Sequence, residues 1–439
     1  MDEFSDSESP SLSCFALMRK FFVFSFVFPV VIYFLSIGCG ALPTAFLTHE
    51  AEQHGVSSTV SGLIFGIYSL VAFMACPAIG TYLIPRFGPK AVLMCGLVVN
   101  GAAQLAFAFT IRLPKGAVFA GICFLIRAIS ALGAAACENS VISITIGQFR
   151  SHVPTVMQSV VEMSSGLGFT VAPVLGGALF EIGGWKAPFL AVSCFLVLSV
   201  FLVWYFLRDV TEDFAESQVN LKKALKVPGV VITILVLIIG TIAYTWFNVT
   251  LDPYGKDELG LNSAEIGLLF LIPALSYALS TPVAGYVCAK TRAFRTCMII
   301  GFLVLSAGLM MTGPAPFFTL LPQRKVWLLG VALAVSGVSC TLCFVPAMPE
   351  MLHCCYARGF PADASTDSLL SGLLTGAQNL GGFVGPVLGG ALMQYFAFRW
   401  TAAIIGFVTL FQMAVLIIYG ICTRQNQLDY EETRPLIIN

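Results

Sequence analysis

Residues 173–179 read PVLGGAL, and residues 386–392 read PVLGGAL again. The two copies lie 213 positions apart, and each belongs to a long apolar run. A second pair recurs in the same order: GLIF and PAIG within residues 62–80, and GLLF and PVAG within residues 267–285. Matching segments at a nearly constant offset indicate that the chain is built from two related halves.

The composition predicts an all-α membrane protein. Of the 439 residues, 58% are hydrophobic and 10% are charged, whereas a soluble chain has about 25% charged residues. The formal net charge of zero gives no support for a nucleic-acid partner. A spanning helix needs about 20 mostly apolar residues. Twelve runs meet this need, at 21–46, 58–83, 91–110, 117–143, 155–180, 187–207, 228–251, 265–288, 297–316, 326–352, 368–396 and 400–421.

The runs divide into two sets of six. We expect an N-terminal tail (1–20), a first half (21–207), a linker (208–227), a second half (228–421) and a C-terminal tail (422–439). Of the 23 Lys and Arg residues, fifteen fall on the side of the termini and the linker, and seven fall on the opposite side. Because basic residues concentrate on the cytosolic side of membrane proteins, both termini are predicted to be cytosolic.

Duplicated halves imply pseudo-twofold symmetry with a substrate path between them near the midplane. The repeated segments supply the expected pivots, because glycines allow close helix approach and proline bends a helix. The alternative is tight packing alone. The predicted hinge residues are Gly168, Pro173, Gly176, Gly177, Gly385, Pro386, Gly389 and Gly390.

Ionisable residues inside spans are costly and are therefore functional candidates. Glu162 is the first, because it lies just before the glycine-rich stretch of span 5. Burial disfavours its charged form, so it is a candidate to hold either a proton or an ammonium group. Arg127 in span 4 is a candidate to influence a nearby acid. The alternative is a permanent Arg127–Glu162 pair that holds two helices together.

Asp252 and Glu350 are further candidates for binding substrate or protons. Asp252 ends span 7 before a proline, and the alternative is an exposed acid at the membrane edge. Glu350 follows Pro349 in a proline-broken helix, and such helices line transporter cavities. Glu138 lies at a similar level in span 4. For both glutamates the alternative is an interfacial acid.

Two other features remain open at this stage. Tyr277 is the aromatic candidate to stack against a cation, and the alternative is core or lipid packing. Cys354 and Cys355, at the end of a helix, are candidates for palmitoylation or are two unmodified thiols.

No nucleotide-binding loop or metal-ligand spacing is found. HEAEQH at residues 49–54 spaces its histidines five apart, whereas a zinc-protease helix needs four. We therefore expect no cofactor, no metal, no enzyme activity and no ATP-driven pump.

The glycine and proline pattern of span 5 resembles the antiporter motif of the major facilitator superfamily, and span 11 resembles its counterpart. The residues that carry this resemblance are Gly168, Ala172, Pro173, Gly176 and Gly177, and Gly381, Gly385, Pro386, Gly389 and Gly390. The resemblance implies that superfamily's twelve-helix fold and transport by alternating access.

Within the superfamily, the chain looks most like the vesicular amine transporters, especially their polyamine branch. The similar segments are EAEQHG (50–55), FLIR (124–127), VEMSSGLG (161–168), LDP (251–253), ALSYALS (274–280) and VPAMPEML (345–352). This resemblance implies functional roles for Glu162, Asp252, Arg127 and Tyr277.

The chain also departs from the pattern. In the superfamily, the loop motif after span 2 usually carries an aspartate, but this chain has Ile84 and Pro85 there. In the corresponding motif after span 8, Ala289 occupies the position of the aspartate. Span 1 lacks the aspartate of the monoamine branch, which argues against a monoamine substrate.

The tail residues Glu432, Leu436 and Ile437 fit a dileucine sorting signal read by clathrin adaptors, and the alternative is a disordered acidic tail. The sequence thus predicts a monomeric proton-coupled antiporter that loads an organic cation, of the polyamine class, into an acidic vesicle, endosome or lysosome. The alternatives are a carrier of another drug-like or monoamine cation, and a non-transporting sensor with the same fold.

Overall fold

Twelve long helices account for most of the chain. The computed structural model describes residues 27–45, 47–149, 154–207, 221–313 and 325–433, and no strand occurs among them. The helices of the first half are α1 (Phe28–Ala41), α2 (Ser58–Ala78, continued by Ile79–Leu83 and Ile84–Phe87), α3 (Pro89–Ala108), α4 (Ala117–Phe149), α5 (Pro154–Gly183) and α6 (Lys186–Phe206).

The second half repeats this order. Its helices are α7 (Pro228–Thr245 and Phe247–Asp257), α8 (Ser263–Thr291), α9 (Phe294–Thr312), α10 (Val326–Phe344 and Ala347–Tyr356), α11 (Ala364–Tyr395) and α12 (Phe398–Thr433). Short helical turns cover Leu42–Ala45, Leu47–Gln53, Thr110–Arg112 and Leu221–Ala224.

Ten of the twelve helices in the described residues are long and apolar enough to cross a membrane. The other two are α1, of which 14 residues are described, and α11, whose 32 residues include many glycines and serines. Residues 21–26, predicted to begin the first span, lie outside the described residues, as does 208–220 of the linker. The predicted all-α, twelve-helix architecture is confirmed.

Polar side chains at three helix starts explain why the helices begin where they do. The Ser57 side chain accepts from the Val60 amide at the start of α2. Asn262 and Glu265 form a reciprocal capping box at the start of α8, and Asp363 accepts from the Thr366 amide at the start of α11. Each cap satisfies a backbone donor that the first helical turn leaves without a partner.

The outer surface is strongly apolar. Met74, Leu279 and Phe411 expose 70%, 76% and 70% of their area. Contiguous apolar surface of this kind is not sustained in water, and a lipid bilayer covers it.

The duplication is visible in the packing. A Cβ placed on Gly168 in α5 would lie 2.6 Å from the Phe34 carbonyl oxygen of α1. A Cβ on Gly381 in α11 would lie 2.7 Å from the Ile238 carbonyl oxygen of α7. The same glycine therefore allows the same close approach in both halves, in keeping with the predicted pseudo-symmetry.

Candidate transport cavity

A cavity of about 520 Å³ lies between the two halves. Helices α1, α2, α4 and α5 line it from the first half, and α7, α8, α10 and α11 line it from the second. We call the face where α6 ends and α7 begins the linker side, and the opposite face the far side. The lining residues of α2 (62–69) and α11 (378–387) run from mid-helix toward the far side.

Glu162 of α5 forms part of the cavity wall and bridges the two halves. Its side chain is buried, and its Oε2 accepts from the Tyr277 hydroxyl of α8 at 3.2 Å. The same oxygen lies 3.5 Å from the donating Gln378 amide of α11. Its second oxygen, Oε1, is buried and has no hydrogen-bond partner. One oxygen of the carboxyl is thus hydrogen-bonded and the other is not.

Arg127 of α4 also lines the cavity, but it does not pair with Glu162. Its guanidinium donates to the Cys39 and Gly40 carbonyls at 3.2 and 2.7 Å. These carbonyls belong to the last turn of α1, where they lack helical partners. The Tyr68 ring centroid lies 4.7 Å from Cζ. The alternative of a permanent Arg127–Glu162 pair is therefore wrong for this conformation.

Glu138 of α4 is the second carboxyl of the cavity. It is 3% exposed, so its carboxyl lies inside the protein. Its carboxyl interacts with the Asn379 amide of α11 and, electrostatically, with Glu162. Among the residues that the structure describes, no Lys, Arg or His forms an ion pair with either acid.

Aromatic side chains from the second half form one wall beside Glu162. The Tyr277 ring lies 6.3 Å from the Tyr244 ring and 6.2 Å from the Phe344 ring, centroid to centroid. All three line the cavity. Such faces attract cations within about 6 Å, so this wall suits an ammonium group or an alkyl chain.

The cavity is closed toward the linker side by contacts between the halves. The Thr375 hydroxyl of α11 donates to Asn139 Oδ1 of α4 at 2.8 Å, and Ser143 and Ser371 hydroxyls lie 3.2 Å apart. Beside them, a Cβ on Gly80 of α2 would collide with the Ser368 carbonyl oxygen. The described conformation is therefore closed toward the linker side.

Two predicted binding residues lie away from the cavity. Asp252 is half exposed and forms a salt bridge with Lys256 one turn later, at 2.9 Å. Glu350 is buried but pairs with Arg295 of α9 on the linker side. Neither carboxyl lines the cavity, because Asp252 is exposed on the surface and Glu350 lies on the linker side, beyond the contacts that close the cavity.

The same cluster engages one of the paired cysteines. Cys354 donates its thiol to Glu350 Oε1 at 3.3 Å, and both Cys354 and Cys355 are buried. Neither thiol is presented for palmitoylation in this conformation.

The other predicted sites divide between described and undescribed residues. Among the hinge candidates, Gly385 and Gly389 of α11 pack closely on α7, and Pro173 and Pro386 lie inside their helices. Glu432 falls in the last turn of α12. Leu436 and Ile437 lie outside the described residues.

Sequence reasoning missed the two amides of α11. Gln378 and Asn379 are adjacent, and each contacts one of the two cavity acids. A polar pair inside an apolar run is the signal that identifies them.

A central cavity between two six-helix halves, with buried carboxyls and apolar outer walls, defines a membrane transport protein. The profile of the Major Facilitator Superfamily matches residues 29–360 and 236–429. The chain belongs to this superfamily and is a transporter, not an enzyme.

Individual proteins support this assignment. The chain is 33% identical to the mouse MFS-type transporter SLC18B1, over 90% of this chain and 87% of that protein. It is 23% identical to the human synaptic vesicular amine transporter, over 79% and 64% of the two chains. The predicted resemblance to the vesicular amine transporters is confirmed. The crystal structure of the human organic anion transporter MFSD10 (TETRAN) shares the fold, with a TM-score of 0.70, 15% identity, and coverage of 89% and 99%.

Proposed function

We propose that the protein is a proton-coupled antiporter that moves an organic cation of the polyamine class into an acidic vesicle or organelle. The observation that carries this proposal is Glu162: a buried carboxyl on the cavity wall, with one oxygen unsatisfied and no cationic partner among the described residues. A group of this kind is stable in the membrane only when a proton or a bound cation neutralises it.

Exchange follows from that requirement. A proton and an ammonium group compete for the same carboxyl, so binding of one releases the other. Tyr277 and Gln378 contact this carboxyl from the second half, so a change in its charge alters a contact between the halves. Rocking of the halves then carries whichever cation is bound, by alternating access.

Arg127 has a supporting role in this proposal. It fixes the end of α1 against α4, and it places a positive charge on the cavity wall away from the two acids. That charge repels a cation that is not held by a carboxyl.

The cellular setting is also a proposal. Both termini face the cytosol, the far side faces an acidic lumen, and Glu432, Leu436 and Ile437 recruit a clathrin adaptor. Protons that leave the lumen through a monomeric carrier then drive the cation inward.

The test uses purified protein in liposomes with an acidic interior. We expect labelled spermidine to accumulate, serotonin to accumulate less, and a neutral solute to be excluded. A protonophore should abolish uptake. Glu162→Gln should lose pH-dependent uptake, whereas Glu181→Gln, a change of the same chemistry at an exposed position of the same helix, should behave as wild type.

The outcomes separate the possibilities. Normal rate and normal pH dependence in Glu162→Gln would contradict the role of this carboxyl. Preference for serotonin would identify a monoamine carrier. If the protein takes up no solute, a sensor function replaces transport.

A further inference from the structure

Glu138 is a buried acid whose charge nothing in the described protein neutralises. It is 3% exposed and lines the cavity. Arg127 lies on the same helix but eleven residues away, which is about 16 Å along the axis. The Asn379 side chain lies close enough to interact with the carboxyl, but a neutral amide leaves the charge in place. An uncompensated carboxylate inside a membrane protein is unfavourable, so it needs a proton or a cation from outside the protein.

The second half contains a buried acid, Glu350, that is neutralised by a partner within the protein. Glu350 stands 212 positions after Glu138, at the corresponding level of α10. Its partner is Arg295, which also donates to Thr423 at 3.0 Å and lies 4.8 Å from the Tyr419 ring centroid. The first half has no such arrangement around Glu138 among the described residues. Of the two acids, only Glu138 lines the cavity, and it does so without a countercharge among the described residues.

Glu138 and Glu162 together form a two-point anionic site. They come from different helices of the first half and line one cavity. The adjacent amides of α11 contact one acid each: Gln378 contacts Glu162 and Asn379 contacts Glu138. Glu162 Oε1, buried and without a partner, marks a place where a donor is missing.

We propose that Glu138 is a second cation subsite, so that the cavity binds a linear molecule with two ammonium groups, one at each carboxyl. This inference rests on the proposed function and specifies how the same cavity selects its substrate. The methylene chain between the amines packs on the wall of Tyr244, Tyr277 and Phe344. A monoamine satisfies one carboxyl only and leaves the other to be protonated or unpaired, which is unfavourable in a buried site.

The test compares two amines that differ by a single ammonium group. Initial uptake of cadaverine (1,5-diaminopentane) and of pentylamine is measured in proteoliposomes. A charge-assisted hydrogen bond contributes about 1.5–3 kcal/mol, which corresponds to roughly 10- to 150-fold. We expect wild type to prefer cadaverine by at least about tenfold, and Glu138→Gln to bring the ratio close to one. Glu181→Gln is the matched control and should keep the wild-type ratio.

A rescue variant tests whether the position of the charge is what matters. The double variant Glu138→Gln/Asn379→Asp returns a carboxyl to the other side of the same contact, and we expect it to restore much of the cadaverine preference. Glu138→Asp, which keeps the charge, should retain part of it. These variants keep the proposal testable if Glu138→Gln folds poorly.

Binding is measured in parallel, as thermal stabilisation of detergent-solubilised protein by each amine. An unchanged cadaverine-to-pentylamine ratio in Glu138→Gln, in transport or in binding, would overturn the subsite while the proposed function stands. A further outcome is that wild type transports neither amine but binds cadaverine selectively, with that selectivity lost in Glu138→Gln. In that case the proposed function fails and the subsite is supported. If wild type shows neither transport nor selective binding, both are wrong.

Discussion

The side chains of Arg295 and Glu350 form a charge cluster that joins three helices. Arg295 of α9 pairs with Glu350 of α10 and donates to Thr423 of α12, and the Cys354 thiol donates to the same carboxyl. Glu350 is nearly inaccessible, whereas Arg295 is partly exposed. A cluster of this kind stabilises the linker side of the second half and does not face the substrate path.

Removing the acid from this cluster should therefore affect stability. We expect Glu350→Gln to lower the free energy of unfolding by about 1.5–3 kcal/mol, because Arg295 loses its charge-assisted hydrogen bond to the carboxylate. The measurement is the melting temperature of the purified protein in detergent. The pH dependence of transport, per folded molecule, should remain that of wild type.

Asp252→Asn is the matched control for this prediction. It removes an exposed salt bridge within one helix, and such pairs contribute about 0.3–0.5 kcal/mol. Equal melting temperatures for the two variants would contradict the stabilising role of the cluster. A shift in the pH dependence of transport in Glu350→Gln would show that Glu350 takes part in transport.

At this scale, the sequence predicts which residues are unusual but not what they contact. Arg127, Glu138, Glu162, Asp252 and Glu350 were all identified as ionisable groups in or near spans. Four of the five interact with residues far apart in the chain, such as Glu162 with Tyr277 and Glu350 with Arg295. Only tertiary packing brings such partners together. Asp252 instead pairs with a local residue, Lys256.

At the scale of helices, the seam between α11 and the first half closes the linker side. The usual loop-motif acid is absent at Ile84 and Pro85. Among the described residues, the seam includes the polar contacts of Asn139 with Thr375 and of Ser143 with Ser371, beside a close packing of α2 on α11. In this packing, a Cβ on Gly372 would lie 2.6 Å from the Cys76 carbonyl oxygen. Small side chains on both helices therefore allow the close packing that closes this side.

A larger residue in this seam should open it. We expect Gly80→Val to collide with the Ser368 carbonyl and to destabilise the closed linker side, because overpacking costs about 1–3 kcal/mol. That cost corresponds to roughly a 5- to 150-fold change in population. The buried native thiol of Cys76 is the reporter, and its alkylation by a maleimide, followed by mass spectrometry, should become at least about fivefold faster.

Gly267→Ala is the control, because a Cβ there meets no atom within 4 Å. It should leave Cys76 labelling at the wild-type rate. Slow labelling in a folded Gly80→Val protein would show that the seam does not control access.

The helix pattern was largely predictable, and the helix irregularities were predictable only in part. Hydropathy placed all twelve spans, because lipid exposure requires apolar side chains along most of each helix. The interruption near Pro346 in α10 agrees with the break predicted from the prolines of this span, whereas the interruption at Trp246 in α7 and the extension of α12 to Thr433 were not predicted. The helix α12 thus continues past residue 422, the predicted start of the C-terminal tail, although its apolar span ends at Thr423.

At the scale of the whole molecule, the two halves share a helix arrangement but differ in the buried acids that line the cavity. Glu162 corresponds to Thr375 at the 213-residue offset, and Thr375 serves the seam by donating to Asn139. Both unpaired acids of the cavity belong to the first half, and their amide partners belong to the second. The charge state of one half therefore influences its contacts with the other.

The presence of both cavity acids in one half predicts how many protons are exchanged for each diamine. If both carboxyls must be neutral for the halves to rock, each either carries a proton or holds an ammonium group, because an uncompensated charge costs about 2.5–3.5 kcal/mol in the membrane. One diamine then exchanges for two protons, and no net charge crosses. A tenfold proton gradient supplies about 1.4 kcal/mol per proton, so cadaverine should accumulate about 100-fold per pH unit at steady state.

The membrane potential distinguishes this stoichiometry from its rivals. Moving one net charge across 100 mV involves about 2.3 kcal/mol, or roughly a 50-fold change in accumulation. We expect a potassium diffusion potential of that size, set with valinomycin, to change cadaverine accumulation in wild-type proteoliposomes by less than about twofold. A 50-fold response, or accumulation of only about tenfold per pH unit, would mean that one of the two carboxyls keeps its charge state throughout the cycle. In Glu138→Gln the single remaining carboxyl exchanges one proton for a dication, so net charge moves and the potential should become a strong driving force.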